Sequence, residues 1–473
     1  MAKKEKYLVF EQNGKEYNLY DLPDGFVIEG DLIIYDEELE KLPDLSKVIV
    51  KGDFDCSSNP LASLKGAPQK INGSFICNDC CNLTSLEGAP QKIIGDFDCS
   101  WGSNLKSLKG APREVGGSFD CSNSSLSSLE YAPQKVAESF MCNDNQLISL
   151  AGAPQEIKED FDCSNNPLIS LEYGPQNVGG NFDCSGCQLE SLEYCPKIVG
   201  KNFICRNNQL ALLVTDSQYI GGNFDCRENP VNSMTYVPAK GVICYTEKGK
   251  DHFIFMKEHQ IFDLYNLPAG FVIEGHLDLS YENLTILPDL SKVIVKGDFD
   301  CSCNELDTLD GCPQNVGGDF DCSGNQLTSL ESAPQEIGGD FDCHRNQLTS
   351  LKGCPQNIGK NFSCSFNLLT SLEGCPTEIK GNFACADNNL TSLEYCPTKT
   401  KGDFICFENK LTTLKGCPAK IGRHFICSGN KLTSLEGAPQ EVNGDFDCRG
   451  NPLTSLENAP KKIGGKFIHD DIK

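Results

Sequence analysis

The sequence predicts a repeat solenoid, a curved parallel β-sheet with an extended proline-containing convex side and few or no helices. Two observations predict it. A phrase close to Gly-Asp-Phe-Asp-Cys-Ser-x-Asn-x-Leu-Thr-Ser-Leu recurs along nearly the whole chain, its cysteine falling at Cys301, Cys322, Cys343, Cys364, Cys385, Cys406, Cys427 and Cys448, always 21 residues apart. The first half carries the same ladder at Cys56, Cys77, Cys99, Cys121, Cys142, Cys163, Cys184, Cys205 and Cys226, spaced 21 or 22. A fixed period of this length makes each repeat one rung, which buries its apolar face only against its neighbours.

One rung justifies its elements in order. In Gly318 to Ile337, the residues Asp319, Phe320, Asp321 and Cys322 alternate polar and apolar, the pattern of a short half-buried strand. Phe320 and Cys322 then point inward, and Asp319 and Asp321 outward. Asn325 stands where the chain leaves the strand, and a buried Asn there bonds backbone groups that the corner leaves unpaired. Leu327 and Leu330 re-enter the core, Pro334 stiffens an extended return, and Ile337 fills the core before Gly338-Gly339 turns into the next strand. Burying one Phe, one Cys, two Leu and one Ile or Val per rung, at about 1.5–3 kcal/mol per large side chain, drives stacking before the entropy cost is subtracted.

These residues resemble the leucine-rich repeat, Leu-x-x-Leu-x-Leu-x-x-Asn-x-Leu. Phe320, Cys322, Asn325 and Leu327 take its last four marked places, and the first is displaced to Val316 or its neighbour. The short period and Pro-containing return look most like bacterial effector-type repeats and repeats encoded by phages and uncultured bacteria. The resemblance implies a right-handed solenoid of the α/β-type leucine-rich-repeat class, mostly β and irregular, and is weak for function.

A tandem duplication divides the chain. Gly25-Phe26-Val27-Ile28-Glu29-Gly30 reappears as Gly270 to Gly275, and Asp44 to Cys56 reappears unchanged as Asp289 to Cys301, an offset of 245. The expected organisation is an N-terminal cap over 1–29 with a hairpin around Asn13-Gly14, a first repeat module over 30–244, a linker and second cap over 245–274, and a second module over 275–473. The linker centres on Tyr245 to Lys250. The competing reading is one continuous superhelix, carried onward by a strand at Val242-Ile243-Cys244.

Composition narrows the function. The formal charge is −25, which disfavours nucleic acid and anionic membrane, since both need a basic footprint. No run approaches a membrane span, and the first ten residues lack a signal peptide's apolar core. Twenty-eight cysteines in such a chain point to reduced, structural thiols and a cytoplasmic protein; a specialised delivery route into a host cell stays open. The six histidines occupy unrelated repeat positions, and no nucleophile elbow, phosphate loop or His-Glu-x-x-His pattern occurs. The sequence therefore reads as non-enzymatic and without a cofactor.

Three features are candidates for a site. Asp298, Asp300, Asp319, Asp321, Asp340 and Asp342 place six carboxylates on the concave face of three adjacent rungs. Two unit charges about 5 Å apart repel by roughly 0.8 kcal/mol even in water, so the array carries a cost. It reads either as a solvated face kept for solubility or as a docking strip for a basic protein. Calcium is the weakest reading, because flat strands present oxygens poorly around one ion. Trp101, the only Trp, lies in one of two adjacent irregular rungs (78–82 and 100–104) and is either an interface anchor or a partly buried ring. Cys77-x-x-Cys80 and Cys184-x-x-Cys187 have a zinc-like spacing, but each first cysteine belongs to the inward ladder. A second cysteine column precedes proline at Cys354, Cys375, Cys396 and Cys417, with Cys195 and Cys312 at the same repeat position, and alternates with Ala, as packing would have it. Asn82, Asn361 and Asn389, which begin glycosylation-like triplets, are expected to serve as corner residues. The functional expectation is protein recognition on the acidic concave face or the edge loops. The alternatives are a structural spacer or virion-associated component, and more weakly a divalent-cation binder. Oligomeric state is open.

Overall fold

The computed structural model describes residues 8–234, 237–247, 250–257 and 260–471. Residues 1–7 of the expected cap and His259 lie outside the described residues. The chain divides into two compact units, Met1–Ile261 and Phe262–Lys473. Each is a stack of rungs with two short parallel strands per rung, the repeat solenoid that the cysteine ladder predicts. Among the described residues the only helical turns are 3-10 turns at Leu19–Asp21 and Leu264–Asn266, and both first turns are capped by a side chain, Asn18 and Asp263.

The first strand of each rung starts at the ladder phenylalanine, or at Leu32 and Leu277 in the opening rungs. In the second unit, Phe299–Asp300, Phe320–Asp321, Phe341–Asp342 and their successors pair in parallel, Phe against Phe, through to Phe467–Ile468. The N–H groups of Phe320 and Cys322 donate to the carbonyls of Asp340 and Asp342 at 2.8 and 2.9 Å. The second strand is the return, such as Glu336–Ile337, which pairs with Asn315–Val316 and Asn357–Ile358. Equivalent repeat positions therefore lie above one another, and rungs of 21 and 22 residues differ only in their corners.

That register builds the core. Phe299, Phe320, Phe341 and Phe362 stack with ring centroids 5.5, 5.4 and 5.2 Å apart, within the range where aromatic pairs attract beyond their buried area. The ladder cysteines are fully buried beside them, as are Leu327, Leu330 and Ile337 and their equivalents. The thiols also donate along the stack: Cys343 Sγ lies 3.3 Å from the carbonyl of Ser363. Burial pushes these thiols well above the ordinary cysteine range, as at Cys322 and Cys343, so they are protonated packing groups. All 28 cysteines are free. The pre-proline column is buried in the same way at Cys312, Cys354, Cys375 and Cys396 and at the equivalent Ala333, with Cys417 half-buried.

Asn325 holds the corner as its chemistry requires. Its amide donates to the carbonyls of Cys301, Cys322 and Ser323, and its oxygen accepts the Leu306 N–H at 3.1 Å. The same bonding recurs from Asn304 to Asn451. Asn82, Asn361 and Asn389 are not corner residues. Asn82 is exposed and donates to the Pro60 carbonyl at 3.3 Å; in its rung Cys80 occupies the corner and reaches the Cys56 carbonyl at 3.5 Å. Cys187 does the same toward the Cys163 carbonyl at 3.6 Å. This explains both Cys-x-x-Cys pairs: the second thiol stands in for an Asn donor, and the corner, not the triplet, decides which Asn is buried.

The N-terminal hairpin forms as expected, Val9–Gln12 against Lys15–Asn18, with positive φ of 55° at Asn13 and 70° at Gly14, the combination a two-residue hairpin turn demands. At the other end of the first unit the structure differs from the expected charged linker. Ile243–Glu247 is a strand, parallel to Phe224–Asp225 and antiparallel to Lys250–Lys257. The β-favouring run Ile243-Cys244-Tyr245-Thr246 makes it one, with Ile243 and Cys244 buried and Glu247 exposed. The last rung beneath it carries a buried ion pair, with Arg227 Nη2 2.6 Å from Asp225 Oδ2 and the Arg227 guanidinium 5.4 Å from the ring centre of Phe253.

Candidate functional site

The outward side chains of the first strands form two columns on the sheet face, and the six aspartates of interest divide between them. Asp298, Asp319 and Asp340 belong to the column before Phe; Asp300, Asp321 and Asp342 belong to the column after it. All six are half-buried, and each has work to do inside its own stack.

The first column replaces a missing main-chain acceptor. Asp298 Oδ1 accepts the Asp319 N–H at 2.7 Å, Asp319 Oδ1 accepts that of Asp340 at 2.7 Å, and Asp340 Oδ1 accepts that of Asn361 at 2.9 Å. The chain then continues through Asn361 to Asn382 and Asn382 to Asp403. His424 Nδ1 takes the same place toward Asp445 at 3.0 Å, and Ser74 Oγ toward Asp96 at 3.0 Å. Asp, Asn, Ser and neutral His share one property, a short side chain with an acceptor. The position therefore demands acceptance rather than charge, which neither sequence reading of the aspartates foresaw. Gly339 makes room for it: a Cβ there would stand 1.8 Å from Asp319 Oδ1.

The second column caps the strand exit. The carboxylates of Asp300 and Asp321 each accept the N–H two residues on, at Ser302 and Ser323, both at 2.8 Å. Asp342 does so for His344 at 2.9 Å, with the His344 ring Nδ1 2.8 Å from the same oxygen. Burial pushes Asp300 up to about 6 and raises Asp321, against the opposing pull of these hydrogen bonds. In the first unit burial likewise raises Asp120 and Asp183, and takes Asp162 to about 6. Asp298 moves the other way, held below the usual carboxylate range by the His276 ring, whose Nδ1 lies 2.8 Å from its Oδ2.

Trp101 is 60% exposed, so the partly buried ring expected as its alternative is not what the structure has. Its φ is +58°, and its N–H donates to the Ser122 carbonyl at 3.0 Å. It stands two residues after the ladder cysteine, where Ser58, Asp79, Asn123 and Asp144 also have positive φ. The six aspartates lie in the second unit and Trp101 in the first.

Among the described residues no three His, Cys, Asp or Glu side chains converge as metal ligands. A cleft of about 570 Å³ lies where Asn229–Met234 meets Tyr245–Glu247 and Ile254, and no histidine or cysteine lines it. Among the described residues no helix is long and apolar enough to cross a membrane.

No protein-family model matches the chain, and no curated protein matches it by sequence. Among solved structures it aligns with YopM from Yersinia enterocolitica WA-314 at 20% identity and a TM-score of 0.39, covering 93% of this chain and 91% of that one. A leucine-rich effector protein, YopM from Yersinia pestis, aligns at 19% identity and a TM-score of 0.32, covering 88% of each chain. Superpositions this loose decide neither fold nor role, so the architecture of this chain stands on its own ladders: a mostly β, leucine-rich-repeat-type solenoid.

Proposed function

We propose that the chain is a non-enzymatic scaffold that recognises a protein partner on the outward face of its sheets or on the edge loops beside them. The observation that carries this reading is the face itself. It is a long surface of two side-chain columns, the first tied rung to rung by hydrogen bonds and the second held by bonds within each rung, and such extended preorganised surfaces suit recognition. The charge of −25 favours a basic partner over nucleic acid or an anionic membrane.

The spacer reading has an observation of its own. The carboxylates of both columns are engaged with backbone N–H groups of their own stack, so their presence is accounted for without any partner. Capture from lysate separates the two. The native chain is compared with a variant bearing Asn at Asp298, Asp300, Asp319, Asp321, Asp340 and Asp342. Asn retains an acceptor, as Asn361 and Asn382 do, so the variant removes charge without dismantling the ladder. A basic protein held by the native chain and lost by the variant supports recognition on this face. The same protein held by both moves the site to the Trp101 edge. Capture by neither favours the spacer.

A further inference from the structure

We propose that the sheet face of the second unit docks an amphipathic basic segment of a partner protein, with apolar side chains on a patch centred on Ile405 and Ile426 and Lys or Arg residues on Asp300, Asp321 and Asp342. This rests on the recognition reading and names the partner's chemistry.

The patch is a break in the second column. Along the second unit this column reads Asp278, Asp300, Asp321, Asp342, Ser363, Ala384, Ile405, Ile426, Asp447, Ile468. Four successive rungs lack a carboxylate, and the last three of them are apolar. Phe407 stands on the same outward side two residues after Ile405, and Ile405, Phe407 and Ile426 are half-buried, unlike the fully buried inward ladder. Phe366, 42% exposed, stands at a corner two rungs from Ile405, with the Arg345 guanidinium 5.6 Å from its ring centre. The first unit has no such run: Ile76, Met141 and Ile204 occur singly, each between aspartates. An apolar patch on the face of an otherwise polar stack marks a contact surface.

Charge selects the occupant. On one side of the patch lie Asp300, Asp321 and Asp342 on three successive rungs, with the His344 ring 2.8 Å from Asp342; on the other, Asp447 is paired with the Arg449 guanidinium at 2.8 Å. The longer row of second-column carboxylates therefore lies on one side. At about 4.8 Å per rung, Ile405 is three rungs, about 14 Å, from Asp342 and five rungs, about 24 Å, from Asp300. A helix rising 1.5 Å per residue covers that interval in about 10–16 residues. The matching segment is a helix with an apolar cluster followed, roughly three to four turns on, by basic residues on the same face.

The probe is a fluorescent 24-residue helical peptide with Leu on one face of its first three turns and Lys and Arg on that face of its last three. It is titrated into the full chain by anisotropy. Two control peptides replace the Lys and Arg by Glu, or the Leu by Ser. The expected result is binding of the first peptide only, about tenfold or more weakened by Ile405→Ser with Ile426→Ser. Asn at Asp300, Asp321 and Asp342 should weaken it and flatten its salt dependence. Serine at this column is native at Ser363, and circular dichroism checks that each variant stays folded. No preference for the first peptide, or binding that survives the isoleucine changes, overturns the proposal. If the peptide fails while the native chain still captures a protein that the six-aspartate variant loses, recognition stands and the apolar anchor falls; if both fail, both fall.

Discussion

Replacing Asp319 by Ala and by Asn separates the two meanings of the first column. Asp319 Oδ1 accepts the Asp340 N–H at 2.7 Å, and alanine leaves that N–H without an acceptor. A hydrogen bond to a charged group contributes about 1.5–3 kcal/mol. The Asp319 side chain is 46% exposed, so water recovers part of it, and the expected loss is about 1–2 kcal/mol. The 3.4 Å contact with Lys360 Nζ adds little, since exposed ion pairs contribute about 0–1 kcal/mol. Asparagine keeps the acceptor and relieves repulsion from neighbouring carboxylates, roughly 0.8 kcal/mol at 5 Å in water. Asp319→Asn should therefore lie within about 0.5 kcal/mol of the native chain. Urea unfolding followed by circular dichroism reads both as shifts in midpoint at unchanged slope. Equal losses from Ala and Asn would show that the charge itself matters and refute the ladder argument; so would no loss from Ala.

Three further outcomes follow from the same geometry. Cys187→Asn restores a corner donor set and gives the Leu168 N–H an amide acceptor, as Asn166 gives Leu147 at 2.9 Å, so it should stabilise by about 1 kcal/mol, read by thermal unfolding; destabilisation would show that the thiol packs better than the amide bonds. Asp162 and Asp300, raised to about 6 by burial, bind protons more tightly folded than unfolded. Their contribution is fully present below the ordinary value near 4 and lost as pH rises through about 6. The unfolding midpoint should therefore fall between pH 5 and pH 7.5, and less steeply in the doubly Asn-substituted variant; an unchanged slope in that variant would dismiss these two groups as the source. Under native conditions maleimide should label exposed Cys81 first and half-buried Cys303 and Cys417 slowly, with the ladder cysteines reacting only after denaturation, as peptide mass mapping would show.

The architecture was legible because a period imposes its own register. Once Phe320 and Cys322 alternate with aspartates and recur every 21 residues, identical residues must stack, and the aromatic column, the thiol ladder and the corner Asn follow. The corners were less legible. Cys80 and Cys187 look like ligand spacing until the rung register places them in an Asn's position, and Asn82 looks like a corner residue until a one-residue insertion moves it outside. Tyr245 to Glu247 looked like linker because the nearby charge and glycine were weighed above the β-favouring run Ile243-Cys244-Tyr245-Thr246.

The sequence by itself determined which residues repeat and which face inward, because burial of apolar side chains follows from local alternation and period. Only the tertiary structure decided what the outward aspartates do. Their partners are the N–H groups of Asp319, Asp340 and Asn361 one rung away or of Ser302 and Ser323 across a bend. A hydrogen bond depends on distances of a few tenths of an ångström and on direction, and no pattern of residue types specifies either until the rungs are stacked.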